Sequence, residues 1–156
     1  MTNQGVDLLT INSGEAEQPF SYTVGLEGSR FLTEIRDNKQ FVGIKCPKCG
    51  KVYVPPRKVC GKCFVEMTEW VPVKDVGYLH TYTILRFAFL DPETGKEKPV
   101  PYGYAFIRLD GSDTDFQHYV EIKDEKKVKI GARVKAVFEE KRAGKITDVK
   151  HFVVID

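Results

Sequence analysis

No apolar run in this 156-residue chain approaches the roughly 20 residues that a membrane-spanning helix needs. Its first residues also lack the basic, apolar and small-residue order of a secretory signal. The expectation is a cytoplasmic protein with no membrane partner, in a compartment where free thiols persist. Neither phosphate-binding glycine pattern, G-x-x-x-x-G-K-[ST] or G-x-G-x-x-G, occurs, and G-x-S-x-G and H-E-x-x-H are missing as well. The few histidines, His80, His118 and His151, stand singly in predicted strands, where a histidine is usually a packing residue. No catalytic residue is therefore predicted, and the chain is not expected to be an enzyme on its own. Charge is missing in patches: Met1 to Ser29 holds no lysine or arginine, and Lys45 to Val65 holds no aspartate or glutamate. The formal net charge of +2 is too small to announce a nucleic-acid partner by itself.

Cysteine is scarce and concentrated. Cys46-Pro47-Lys48-Cys49-Gly50 and Cys60-Gly61-Lys62-Cys63 contain all four cysteines of the chain, separated by ten residues. Each C-x-x-C half brings two thiolates to one ion from a tight knuckle, and Gly50 follows the first pair where a knuckle needs positive φ. A redox motif would use one pair at a helix start and would leave the second pair without a purpose. The spacing predicts a four-thiolate metal site on a zinc ribbon, with Cys46, Cys49, Cys60 and Cys63 as ligands to a structural zinc. Iron in the same cage and disulfides are the competing readings. A cage of four protein thiolates is coordinatively closed, so such a metal folds the chain and does not catalyse. Lys45, Lys48, Lys51, Arg57, Lys58 and Lys62 surround the cysteines and offset the net negative charge of the metal–thiolate cluster. The surplus makes the hairpin a candidate for contact with phosphate or an acidic surface.

Residues 1 to about 22 show little periodicity and read as an arm that is disordered or ordered only on a partner. From about Gly28 to Asn38, Phe31, Leu32 and Ile35 fall on one side of a short amphipathic helix, which either lies on the chain or docks in another protein's groove. Phe41 to Lys45 and Val52 to Val54 read as ribbon strands closed by Pro55-Pro56, and the ribbon is expected to end near Met67. Beyond Trp70 the pattern is β only. A long strand is predicted from Gly77 to Phe89, with Tyr78, His80, Tyr82, Ile84 and Arg86 alternating against Leu79, Thr81, Thr83, Leu85 and Phe87. The proline-rich segment from Asp91 to Pro101 is expected to protrude as the most mobile element. Further strands are predicted at Tyr104 to Leu109, Gln117 to Ile122, Arg133 to Glu139 and Ile146 to Ile155. Five strands in a small Greek key suggest an OB-fold barrel. The fold class is mainly β, divided into a flexible arm and amphipathic helix (1–40), a zinc ribbon (41–70) and a five-stranded OB-fold domain (71–156).

Tyr102 to Arg108 partly matches an aromatic RNA-binding strand, but that fold needs a helix where the proline-rich segment stands. Tyr104 and Phe106 are instead read as barrel residues on one face. OB folds do stack bases on exposed strand aromatics, so a zinc-ribbon and OB-fold nucleic-acid-binding protein is the alternative functional reading.

Arg30-Phe31-Leu32, Gly43 to Gly50, Val54-Pro55-Pro56-Arg57, Cys60 to Cys63, Trp70, Gly77, Thr81-Tyr82-Thr83, Pro101 to Ala105 and Ile130 to Val134 together carry a resemblance. From about Tyr22 onward the chain resembles the family of rubredoxin-like zinc-ribbon plus OB-fold proteins that accompany thiolases, long classed as a domain of unknown function. The resemblance implies a non-catalytic scaffold that binds acyl-CoA and works with thiolase-superfamily enzymes. It either bridges acetoacetyl-CoA thiolase to hydroxymethylglutaryl-CoA synthase in isoprenoid synthesis or supports lipid-transfer-protein-like thiolases and aldolases. On that expectation coenzyme A or acyl-CoA is the ligand, with Arg57, Lys58 and Arg86 toward its phosphates and Phe87, Phe89 and Tyr102 toward its apolar arm. Phe31, Leu32 and Ile35 are the expected partner-docking residues.

Overall fold

The computed structural model describes residue 7 and residues 9–12, 21–90 and 95–155. Its elements run β1 (Thr10–Asn12), β2 (Ser21–Thr23), α1 (Gly25–Asn38), β3 (Phe41–Lys45), β4 (Val52–Tyr53), β5 (Glu69–Val73), β6 (Val76–Leu85), β7 (Tyr102–Leu109), β8 (Asp115–Val120), β9 (Arg133–Phe138) and β10 (Val149–Val154). Single 3-10 turns at Glu125–Lys127 and Ile146–Asp148 precede β9 and β10. No helix among the described residues is long and apolar enough to cross a membrane.

The ribbon is a three-stranded antiparallel sheet in the order β4-β3-β5. Its third strand lies beyond Met67, where the ribbon was expected to end, and runs to Val73. The second unit is a closed five-stranded barrel in the order β10-β8-β7-β6-β9. All its pairings are antiparallel except β8 with β10, which meet in parallel at Phe152 and Val120. That strand order is the OB-fold Greek key. Gly77 sits where β6 crosses β7 closely: a Cβ there would collide with the Arg108 carbonyl oxygen.

Several expectations need correction. The segment read as a featureless arm contains β1 and β2, paired in antiparallel register from Thr10 with Thr23 to Asn12 with Ser21. Most of the arm, residues 1–6, 8 and 13–20, lies outside the described residues. The long strand ends at Leu85 instead of Phe89, and its faces do not alternate as predicted. The register slips between Leu79 and Thr81, leaving His80 as the extra residue of a bulge. The slip reverses the phase, so Leu79 is fully buried and Tyr82 packs against the same core. The mobility expected of the proline-rich segment falls partly on residues 91–94, outside the described residues. Its flanks pair through a Leu90–Glu97 bridge, and Lys98 N–H donates to the Phe89 carbonyl (3.1 Å). The last strand starts at Val149, because Ile146–Asp148 turns as a 3-10 helix.

Helix α1 begins at Gly25, three residues earlier than its apolar pattern suggested, and ends on Lys39 in the left-handed conformation (φ 52°). Phe31, Leu32 and Ile35 are 3%, 5% and 0% exposed, so the apolar face of the helix closes this chain's own core and is not open to a partner's groove. Phe41, the first residue of β3, is the centre of that core. Its ring lies 5.2 Å from Phe116 and 6.3 Å from Phe152 of the barrel, and 6.2 Å from Phe31 of the helix. One apolar cluster therefore takes in the helix, the inner end of the ribbon (Phe41, Val54, Val73) and the barrel interior. Burial of one such phenyl ring contributes roughly 2–3 kcal/mol.

Polar contacts fix the seam. Val52 N–H donates to Asp113 Oδ2 (2.9 Å), and Asp113 N–H returns a bond to the Val52 carbonyl (2.9 Å). Thr114 Oγ1 accepts from Val54 N–H (2.7 Å) and donates to the Val54 carbonyl (2.9 Å). The Arg30 guanidinium lies 4.3 Å from the centroid of Trp70.

Candidate functional site

The two knuckles are built alike. Gly50 N–H donates to the Cys46 carbonyl and Phe64 N–H to the Cys60 carbonyl, both at 2.9 Å. Cys49 N–H points at Cys46 Sγ and Cys63 N–H at Cys60 Sγ, both at 3.4 Å. The residue after each pair takes positive φ, 74° at Gly50 and 56° at Phe64. This geometry turns all four sulfurs inward, and they lie within 4.8 Å of one another. Cys46 and Cys60 are buried, while Cys49 and Cys63 are half-buried.

The donor set fits a tetrahedral thiophilic ion. Zinc–sulfur bonds of about 2.3 Å place sulfurs about 3.8 Å apart along a tetrahedron edge, and Cys49 Sγ and Cys60 Sγ are 3.8 Å apart. Without a cation the four thiols cannot all ionise. The Tyr53 hydroxyl, 3.3 Å from Cys60 Sγ, and the N–H groups of Cys63 and Lys62 draw the Cys60 thiol down to about 6. Burial, followed by the neighbouring sulfurs, pushes Cys63 up to about 12. A divalent cation removes that conflict by stabilising every thiolate at once. With four protein ligands the ion has no open position, and its chemistry is structural. Tyr53 escaped the sequence reading, since a tyrosine seven residues before a ligand carries no local signature. Arg57 stacks over the Tyr53 ring (5.1 Å to the centroid) and makes its contact inside the knuckle region.

The residues expected to meet acyl-CoA are not brought together. Arg57 and Lys58 belong to the ribbon, where Lys58 pairs with Glu66 at 3.6 Å. The ribbon is latched to the β7–β8 turn, beside the Gly77 end of β6. Arg86, Phe87 and Phe89 follow the opposite end of β6, where Leu85 pairs with Tyr102. At about 3.3 Å per residue, Gly77 and Leu85 are roughly 26 Å apart along the strand. Arg86 is paired with Glu125 at 2.6 Å, and Tyr102 is buried edge-on against Tyr119 (5.6 Å). The Phe87 and Phe89 rings pack against each other at a tilt of 58°, 4.8 Å between centroids, and remain 58% and 52% exposed. Leu90 and Val100 beside them are exposed too, which makes this barrel end an apolar patch.

The histidines occupy three different settings. His80 Nδ1 is 2.8 Å from Asp115 Oδ2, and the same carboxylate accepts from Arg108 Nε at 2.7 Å. Asp115 is held below the usual carboxylate range by those two partners against the cost of its burial. His151 lies 3.8 Å from Glu121, and its pKa is lowered chiefly by burial. His118 is buried with Nε2 on the Val149 carbonyl, and burial pushes its pKa down to about 4.

Residues 34–68 match the family model described as the ChsH2 rubredoxin-like zinc ribbon domain, and residues 70–139 match that of the ChsH2 C-terminal OB-fold domain. A Methanocaldococcus jannaschii protein described as a DUF35 domain-containing scaffold protein is 35% identical over 111 residues, covering 70% of this chain and 74% of the relative. The chain belongs to the DUF35 family. Among solved structures, a DUF35 protein of unknown function from Sulfolobus solfataricus superposes with a TM-score of 0.59 at 28% identity, covering 85% of this chain and 87% of that one. The Ltp2–ChsH2(DUF35) aldolase superposes with a TM-score of 0.58 over 78% of this chain and 90% of that chain. At 18% identity, that second likeness speaks for the DUF35 fold alone.

Proposed function

We propose that this DUF35 chain is a non-catalytic, acyl-CoA-binding scaffold that associates with thiolase-superfamily enzymes. Its partners are acetoacetyl-CoA thiolase and hydroxymethylglutaryl-CoA synthase, which it bridges so that a CoA-bound intermediate passes from one to the other. The observation that carries this reading is the 35% identity, over most of both chains, with a relative described as a scaffold protein. The chemistry of the chain supports it. Four thiolates would leave a bound metal no open position, and among the described residues the His–carboxylate contact at hydrogen-bond distance, His80 with Asp115, is shared with Arg108. The exposed Phe87, Phe89, Leu90 and Val100 offer an apolar surface at the barrel end for an enzyme partner.

Co-expression of the zinc-loaded chain with the thiolase and the synthase from its own organism tests the proposal. The expected result is a complex that survives nuclease treatment and a high-salt wash, because an apolar interface tolerates salt. Recovery of nucleic acid that is lost on the salt wash, with neither enzyme retained, overturns the scaffold in favour of an OB-fold nucleic-acid binder. Turnover of an acyl-CoA by the isolated chain overturns the non-catalytic reading.

A further inference from the structure

The two knuckles offer a metal the same backbone and differ in what else touches their sulfurs. Cys46 and Cys60 are the buried pair, 1% and 0% exposed. Each Sγ accepts one N–H at 3.4 Å, from Cys49 and Cys63 respectively. Cys60 Sγ also meets the Tyr53 hydroxyl at 3.3 Å, and among the described residues no hydroxyl takes that place at Cys46.

Tyr53 does not belong to the knuckle that it touches. It lies on β4 opposite Ile44 of β3, in the hairpin that carries Cys46 and Cys49. Its neighbours Val52 and Val54 are tied to Asp113 and Thr114 of the β7–β8 turn, so its backbone is held to the barrel on both sides. The side chain is buried with Ile44 and Met67, and the Arg57 guanidinium covers the ring. The second knuckle, by contrast, closes on itself. Cys60 N–H donates to the Val65 carbonyl (3.0 Å), Met67 N–H donates to the Lys58 carbonyl (2.8 Å), and Val59 bridges to Glu66. Gly61 stands where the first knuckle has Pro47, and a Cβ there would touch Arg57 Nη1 at 3.4 Å and the Tyr53 hydroxyl at 3.9 Å. The second knuckle thus presents bare backbone to this pair.

A metal-bound thiolate carries no proton, so in the loaded site the hydroxyl donates and Cys60 accepts. A hydrogen bond to an ionised acceptor is about twice as strong as a neutral one. Four thiolates around one divalent cation keep net negative charge, which a donor in a buried place offsets. The donor also withdraws charge from one particular sulfur, and a less basic thiolate is a poorer nucleophile. Partners that orient a metal ligand in this way typically cost roughly ten- to a hundredfold in metal affinity when removed.

We infer that Tyr53 is a positioning residue for the metal: its hydroxyl braces the second knuckle against the barrel-latched β4 and makes Cys60 less reactive than Cys46. The brace runs from the β7–β8 turn through Val52 and Val54 to Tyr53 and on to Cys60, across about sixty positions of sequence. It makes the four-thiolate cage asymmetric although its two halves share one backbone geometry.

The test compares the purified full chain with Tyr53→Phe, which keeps the ring beneath Arg57 and removes the hydroxyl. In competition with a chelator, the variant is expected to hold zinc roughly tenfold less tightly. In the cobalt-loaded proteins, the thiolate-to-cobalt charge-transfer band reads the charge on the sulfurs. It is expected at longer wavelength in the variant, because a sulfur freed from a hydrogen bond gives up charge more readily. Limiting N-ethylmaleimide, followed by mass spectrometry of the peptides, is expected to label Cys46 before Cys60 in the zinc-loaded wild type and both alike in the variant. Both are buried and both accept one backbone N–H, so the comparison isolates the hydroxyl. Equal labelling of the two in the wild type overturns the inference, as does a variant with wild-type affinity and an unmoved band. Weakened affinity with an unmoved band overturns the hydrogen-bond role and assigns Tyr53 to packing alone. Where the variant takes up no metal, the wild-type order of labelling decides.

Discussion

The two ends of the ribbon are held by different physics. At its inner end Phe41, Val54 and Val73 belong to the same apolar core as Phe116 and Phe152 of the barrel. At its outer end Ile44, Tyr53 and Met67 form a separate small cluster with Cys46 and Cys60. A cluster of that size cannot order a loop-rich hairpin by burial alone, and small modules of this kind need a metal or disulfides. The ribbon is therefore not a detachable domain, because its inner end shares the barrel's apolar core. Its metal end is a ligand-folded cap, whereas its base is part of the barrel.

Metal removal is expected to have the largest effect and to split the two ends. Structural zinc in finger peptides contributes apparent binding free energies of about 10–16 kcal/mol near neutral pH. Chelation, or Cys60→Ser, is expected to abolish amide protection across residues 46–67 while the barrel strands keep theirs, read by hydrogen exchange. Loss of protection throughout β6 to β10 on the same timescale would show that the metal folds the entire chain. Phe41→Ala is expected to do the reverse. Removing a ring that meets Phe31, Phe116, Phe138 and Phe152 costs about 3–5 kcal/mol. Denaturant titration of the zinc-loaded protein should show that loss in one cooperative step, and a loss below about 1 kcal/mol would mean the ribbon base is not part of the barrel core.

Acid separates the ends a third way. His118 has an ordinary pKa of 6.5 that burial lowers to about 4. Between those values the unfolded chain binds a proton that the native state refuses. The contribution to stability is thus complete above about pH 6.5 and is lost as pH falls toward 4, by at most about 3 kcal/mol. His118→Gln is expected to flatten the stability profile over that window without changing the pH at which zinc is released. An unaltered slope in the variant would place the acid sensitivity of the barrel elsewhere.

The metal end was legible in the sequence and the seam was not. C-x-x-C spacing is local, and the four sulfurs converge as the spacing requires. The barrel strands were legible through their alternation up to the points where alternation fails. The bulge at His80 shifts the phase of β6, so one misplaced residue exchanged the faces of everything after it. Phe31, Leu32 and Ile35 were visible as an apolar face, but a face does not name what it packs against, and here it closes the barrel core. Asp113 and Thr114 carry no sequence signal of a distant partner, and their bonds to Val52 and Val54 span about sixty positions.

The smallest expected effect lies inside the metal end, where the two knuckles share one geometry but differ at two residues, Pro47 against Gly61 and Gly50 against Phe64. Gly50 and Phe64 both hold positive φ after their cysteine pairs, a conformation that costs an ordinary side chain about 1 kcal/mol or more. A Cβ at Gly50 would meet nothing within 4 Å, so Gly50→Ala isolates the backbone cost. Phe64 is 82% exposed, so Phe64→Gly removes that cost with little loss of burial. Thermal unfolding of the zinc-loaded variants is expected to show Gly50→Ala destabilised and Phe64→Gly stabilised, each by about 1 kcal/mol, with the double variant close to the parent. A destabilised Phe64→Gly would mean that the phenyl ring stabilises the folded state by more than its backbone conformation costs. The two knuckles would then differ in energetics as well as in sequence.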